Sequence, residues 1–161
     1  MDPASIIGTA SAVIGIIDAL TKVIATISSL SAQWADADLA VLSFEAQLAT
    51  LKAGLDKIRE WMEASAESPH HQLAIDLDRC LRCCRLLIAK IERELAQLQA
   101  EAGPLKAAGK LRLMFKSKEI KEVEAMIGRQ TGALTLLLTA CNTYGFTVST
   151  LARAGDELIG I

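Results

Sequence analysis

Apolar residues recur along this chain at helical spacing from its first turn. Ile6, Ala10, Val13, Ile17, Leu20, Ile24 and Ile27 alternate steps of four and three, which lays them along one face of a helix. Ile7, Ile14, Ile16, Val23 and Leu30 lie off that stripe, and between Met1 and Trp34 only Asp2, Asp18 and Lys22 carry charge. The opening therefore reads as a helix apolar on nearly every side, either buried all round or made for lipid. Asp2-Pro3 supplies its start, an N-cap followed by a proline at the first helical position. Ser28, Ser29 and Ser31 weaken the helix and predict a break there.

The pattern predicts three more helices. One starts near Asp36 or Asp38, carries the heptad seam Val41, Phe44, Leu48, Leu51, Leu55, Ile58 and Met62, and ends between Ala64 and Glu67. Ser68-Pro69 opens another, with Leu73, Leu77, Cys80, Cys84, Ile88, Ile91, Leu95 and Leu98 as its stripe and Gly103-Pro104 as its stop. From Leu105 to Ser117 the periodicity is lost, which predicts a loop. The last helix begins at Ser117 and holds Ile120, Val123, Ile127, Gln130, Leu134, Leu137, Cys141, Tyr144, Val148 and Leu151 on one seam. Gln130 is the polar position there, of the kind that fixes register. Gly145 and Gly155 are expected to weaken or end that helix, and Asp156 to Ile161 carry no signal. The expected fold is all-α: an antiparallel four-helix-type bundle of long helices, roughly 40–50 Å long, forming one domain over residues 1–161.

Composition sharpens this picture. Hydrophobic residues make up 52% of the chain and mean hydropathy is +0.33, so much of the surface must be buried within it or against a partner. Net charge is −2, which argues against nucleic acid as a partner. Asp2, and the lack of Lys or Arg before the apolar run, argue against a secretory signal. The uncharged run from Pro3 to Ile17 is short of the roughly 20 residues a spanning helix needs. Asp18 and Lys22 interrupt its continuation, although at i,i+4 they could partly offset each other. Gly8, Ser11, Ala12, Gly15 and Ala19 form a strip of small residues, which allows close approach of another helix, either as tight packing inside a bundle or as a membrane-inserting or oligomerising face.

Little reactive chemistry is expected. His70, His71, Cys80, Cys83 and Cys84 are the residues of metal-ligating type that lie near one another, but they lack a paired CxxC spacing. The cysteines read as reduced thiols in the cytosol, with Cys80 and Cys84 as small core residues and Cys83 near the surface. There is no phosphate-binding glycine loop and no nucleophile elbow, so neither enzyme activity nor a metal or cofactor is expected. From Lys106 to Lys121 six basic residues face one acid, Glu119, amid Leu111, Leu113, Met114 and Phe115. Such a segment is suited to an anionic lipid surface, at about 1 kcal/mol per basic residue.

Two stretches together resemble one family. MDPASIIGTASAVIGIIDALTKV resembles the start of fungal STAND and NLR-type proteins. LRLMFKSKEIKEVEAMIGRQTGALTLLLTA resembles a later signature of the same domain: a basic-aromatic element, a charged helix start, then R-Q-x-x-A-L-x-L-x-L. The family is the HeLo-like N-terminal domain, related to the HeLo domain and to the executioner bundle of the necroptosis pseudokinase. The resemblance spans nearly the whole chain. It implies a cytoplasmic helical module placed before a C-terminal nucleotide-binding sensor. It also implies a cell-death effector whose oligomerisation frees the first helix to permeabilise the plasma membrane. In that reading Ile6, Ile7, Val13, Ile14, Ile16, Ile17 and Leu20 insert, after being shielded at rest by the other three helices. Lys106, Lys110, Arg112, Lys116 and Lys118 hold anionic headgroups. The alternative reading is a non-toxic oligomerisation or adaptor module that self-associates through the first helix.

Overall fold

The computed structural model describes residues 3–32, 38–64, 71–101 and 104–159, with side chains described over 8–32, 38–64, 75–100, 109–140 and 142–143. The described residues are almost wholly helical, in five helices: α1 (Pro3–Ser31), α2 (Leu39–Ala64), α3 (His71–Glu101), α4 (Pro104–Lys116) and α5 (Lys118–Ile159). Four are long. The short one, α4, stands where the lost periodicity predicts a loop. α3 ends at Glu101, and a proline at the first helical position, Pro104, begins the next helix. Leu111 and Phe115, four residues apart, then give α4 its buried side.

The starts and stops of the helices have local causes. Asp38 caps α2: its Oδ1 accepts from the Ala40 amide at 3.0 Å, and its carbonyl accepts from the Val41 and Leu42 amides. Ser117 caps α5, its hydroxyl accepting from the Ile120 amide at 3.3 Å. The last turn of α1 closes where the serines predict a break, with the Ser31 hydroxyl donating to the Ser28 carbonyl at 3.0 Å. Gly145 and Gly155 do not end α5, which runs on to Ile159. Their cost of about 1 kcal/mol each is small against a helix of that length.

The arrangement follows from which helices touch. Among the described residues α1 packs on α2 and α3, and α5 packs on α2 and α3, while α1 and α5 do not meet and neither do α2 and α3. α4 touches all four. It lies at the end of the bundle where α2 starts: Arg112 Nε donates to Asp38 Oδ2 at 2.8 Å, and the Phe115 and Phe44 rings meet edge to face at 5.0 Å. α5 departs from that same end, since Gln47 Nε2 donates to Glu124 Oε1 at 2.9 Å. So α2 and α5 are neighbours that run the same way. Short connections at both ends of α2 turn α1 and α3 the other way, making them a second parallel pair. Successive long helices thus run oppositely, α1 to α2, α2 to α3 and α3 to α5.

The core runs through all five helices. The α2 seam is buried as expected from Val41 to Ile58, with Met62 packed against it. On α3 Leu81 is buried in place of the half-buried Cys80, which gives an unbroken 4-3 spacing from Leu77 to Leu98, and Leu87 joins it. On α5 Ile120, Val123, Ile127 and Leu134 are buried, whereas Gln130 is half-buried and its carbonyl oxygen has no hydrogen-bond partner among the described residues. The side chains of Leu73, Cys141, Tyr144, Val148 and Leu151 lie outside the described residues, as do His70 and the Ser68-Pro69 start.

Candidate functional site

α1 is not apolar all round. Val13, Ile16, Ile17, Leu20, Val23, Ile27 and Leu30 are buried together. Ile16, Val23 and Leu30, which lie off the sequence stripe, are therefore in the core, and Ile24 is half-buried. The core face is rotated from the 4-3 stripe because α2 and α3 meet α1 from two directions. The opposite face carries Ser11, Gly15, Asp18, Thr21, Lys22, Ala25, Ser28 and Ser29, all exposed. Asp18 and Lys22 stand on this face without pairing to each other. Among the described residues of α1, Ile14, at 46% exposure, is the large apolar side chain that remains outside.

This divides the insertion set. Val13, Ile16, Ile17 and Leu20 are core residues, Ile14 faces out, and the side chains of Ile6 and Ile7 lie outside the described residues. Lipid reaches the four core residues only if α1 leaves the bundle. Their burial with Val23, Ile27 and Leu30 stabilises the resting position by about 10–20 kcal/mol gross, at roughly 1.5–3 kcal/mol per side chain. The expected shielding by three helices is also corrected. α2 and α3 flank α1 and α4 covers its end, but among the described residues α5 does not touch it. Among the described residues, Gly8–Ser31 is long and apolar enough to cross a membrane, with a mean hydropathy of 1.8, yet only 33% of its most apolar window is buried.

The two glycines of the small-residue strip make no close contact with a neighbouring helix. A Cβ placed on Gly8 or Gly15 would meet no atom within 4 Å. Instead Ser11, Ala12, Gly15 and Ala19 line an open groove of about 290 Å³ between α1 and α3.

The basic residues gather on α4 and the start of α5. Lys110, Arg112 and Lys116 are exposed on α4, around Leu113, which is 70% exposed. Lys118 follows at the head of α5, 3.9 Å from Glu122. The Lys106 side chain lies outside the described residues. Pattern reading did not foresee Asp38 within this patch. Its carboxylate takes Arg112 while capping α2, and Lys116 adds to the local positive field. The Ala40 amide first, and Arg112 second, hold the Asp38 carboxyl below its ordinary value.

On α3, burial holds the Cys80 thiol above its ordinary value and pushes Cys84 up to about 12, so both are poor nucleophiles at neutral pH. Among the described residues no three His, Cys, Asp or Glu side chains come together to hold a metal ion.

No protein-family model matches the chain, and no curated protein or solved structure matches it at a significant level.

Proposed function

We propose that this chain is a membrane-targeting effector domain whose first helix leaves the bundle for lipid. The observation that carries the reading is the position of α1. It is a long apolar helix held against α2 and α3 by one face along its length, with the opposite face open. The four long helices act as one four-helix-type bundle at rest. α5 bridges α2 and α3, so those three stay connected when α1 departs. Departure uncovers the core faces of α2 and α3, which favours self-association, and the freed face of α1 exchanges protein contacts for acyl chains.

The patch of Lys110, Arg112, Lys116 and Lys118 draws the domain to anionic headgroups, and Leu113 enters the interface among them. A C-terminal nucleotide-binding sensor supplies the clustering, and the domain moves from cytoplasm to plasma membrane on activation. The process needs no catalytic group or cofactor, and nucleic acid is not a partner. The test is dye release from vesicles with and without anionic lipid, comparing the chain, clustered and unclustered, with one lacking residues 1–30. Release is expected from the clustered chain on anionic vesicles. Equal release without residues 1–30 would refute the role of α1. A second reading, a non-toxic adaptor that pairs through α1, draws support from the groove beside that helix.

A further inference from the structure

Asp38 stands beside the basic residues of α4, and each of its two carboxylate oxygens has a separate role. Oδ1 accepts from the Ala40 amide at 3.0 Å and caps α2. Oδ2 accepts from Arg112 Nε at 2.8 Å. Ion pairs such as Lys52–Asp56 and Arg82–Asp78 link neighbouring turns of one helix, whereas this one joins α4 to the start of α2. The cap needs only the first bond. α4 is seated by the buried Leu111 and by Phe115 against Phe44. Neither helix therefore depends on Arg112 for its place.

The pair sits among side chains suited to a lipid surface. Leu39 and Leu113, each next in sequence to one partner, are 79% and 70% exposed, and Leu42 is exposed one turn further along α2. Lys110 and Lys116 are exposed on α4 with Arg112. A guanidinium bonded to a carboxylate has less attraction left for another anion, and the carboxylate itself repels one.

We propose that Asp38 is an internal competitor for the headgroup site: it holds Arg112 at rest and yields it to an anionic lipid headgroup. The proposal rests on the lipid reading above and adds the regulation of that site. The exchange is a movement of one side chain. Arg112 turns from Asp38 Oδ2 to a headgroup oxygen, Oδ1 keeps its amide, and the Phe115–Phe44 contact keeps α4 in place. Lys110, Lys116 and Lys118 bring the domain to the surface, and Arg112 joins them where headgroups are dense enough to displace an attached carboxylate. Asp38 thereby raises the anionic lipid content at which the domain docks.

Asp38→Asn separates the two roles. Asparagine caps a helix about as well as aspartate, so its side-chain oxygen keeps the Ala40 amide. Its NH2 group, in the place of Oδ2, cannot accept from Arg112. The test is a double-mutant cycle on the 161-residue chain, binding to phosphatidylcholine vesicles that carry a stepped fraction of phosphatidylserine. Circular dichroism follows the fold of each variant. With Asp38 present, Arg112→Gln should weaken binding by no more than about twofold. In the Asp38→Asn background it should weaken binding about fivefold, the share of a free basic residue near such a surface. Asp38→Asn alone should lower the phosphatidylserine fraction that gives half-maximal binding. Lys116→Gln removes a cation not bonded to Asp38 and should cost the same factor in both backgrounds. Glu119 and Glu122, exposed at the head of α5, stay in every variant, so their repulsion cancels. An equal Arg112→Gln loss with and without Asp38 would overturn the proposal, as would a background dependence equally large for Lys116→Gln. A chain indifferent to phosphatidylserine in both backgrounds would refute the lipid reading itself, and the proposal with it.

Discussion

Ile14 and Ile17 lie three residues apart on α1, and their surroundings make them matched probes of lipid and fold. Ile17 is 6% exposed and Ile14 is 46% exposed. Replacing Ile17 by Asp removes about 2–3 kcal/mol of burial and leaves a carboxyl without a partner in the core. The total exceeds roughly 4 kcal/mol, a large part of the about 5–15 kcal/mol that holds a domain together. Ile14→Asp removes only partial burial, about 1 kcal/mol, and about 0.5 kcal/mol of helix propensity. At roughly 2–4 °C per kcal/mol, its melting temperature falls by about 3–6 °C and the bundle stays folded. In lipid the difference between the two sites largely vanishes. Exchanging isoleucine for aspartate within an inserted helix costs up to about 3 kcal/mol, or roughly a hundredfold in insertion. Ile14→Asp is therefore the clean probe. The assay pairs a melting curve with dye release from anionic vesicles by the clustered chain. Ile14→Asp should stay folded and lose at least about tenfold in release. A folded Ile14→Asp chain that leaks as fast as the parent would refute insertion of this helix. Ile17→Asp should fail both measurements, and a folded Ile17→Asp chain would refute the packing described for α1.

Other outcomes follow from the same geometry. Gly128 and Gly132 lie exposed on α5, with open space where a Cβ would stand. Replacing both with Ala should raise stability by about 1–2 kcal/mol, read as a higher urea midpoint at unchanged slope. Asp38 has its carboxyl held below its ordinary value of 3.8, so its contribution is present at neutral pH and lost as pH falls through the depressed value. Asp38→Asn should lower stability at pH 7 and flatten the acid limb of stability against pH; an unchanged acid limb would count against the capping role. The Cys84 thiol is raised from 9.0 to about 12, so the unfolded chain ionises first and stability should fall as pH climbs through that window. Cys84→Ala should blunt that fall, and mass spectrometry of native chain treated with a thiol reagent near pH 8 should find Cys84 modified last. Lys116→Glu should weaken binding to anionic vesicles in a salt-dependent way, by about 1–2 kcal/mol, with neutral vesicles unaffected.

Much of the helical plan was legible in the residues. The α2 seam from Val41 to Ile58, the start of α2 near Asp36 or Asp38 and the serine stop of α1 each depend on spacing within a few residues, and local spacing is what a sequence displays. α4 was hidden because its basic side chains interrupt the apolar pattern. Leu111 and Phe115 become a core pair only once Phe44, far away in sequence, stands opposite. Leu81 was likewise invisible beside Cys80, since which of two adjacent residues faces inward depends on where the neighbouring helix lies.

The first helix divides sequence from tertiary structure most sharply. Its residues alone determined that it would be long, helical, nearly uncharged and rich in small side chains. Only packing against α2 and α3 decided that Ile16, Val23 and Leu30 turn inward while Ile14 stays out, because two neighbours set at an angle bury a wider and rotated arc than a single stripe. Only that packing left Gly15 lining an open groove instead of a tight crossing. Small residues permit close approach without compelling it; the larger side chains nearby set the distance between helix axes.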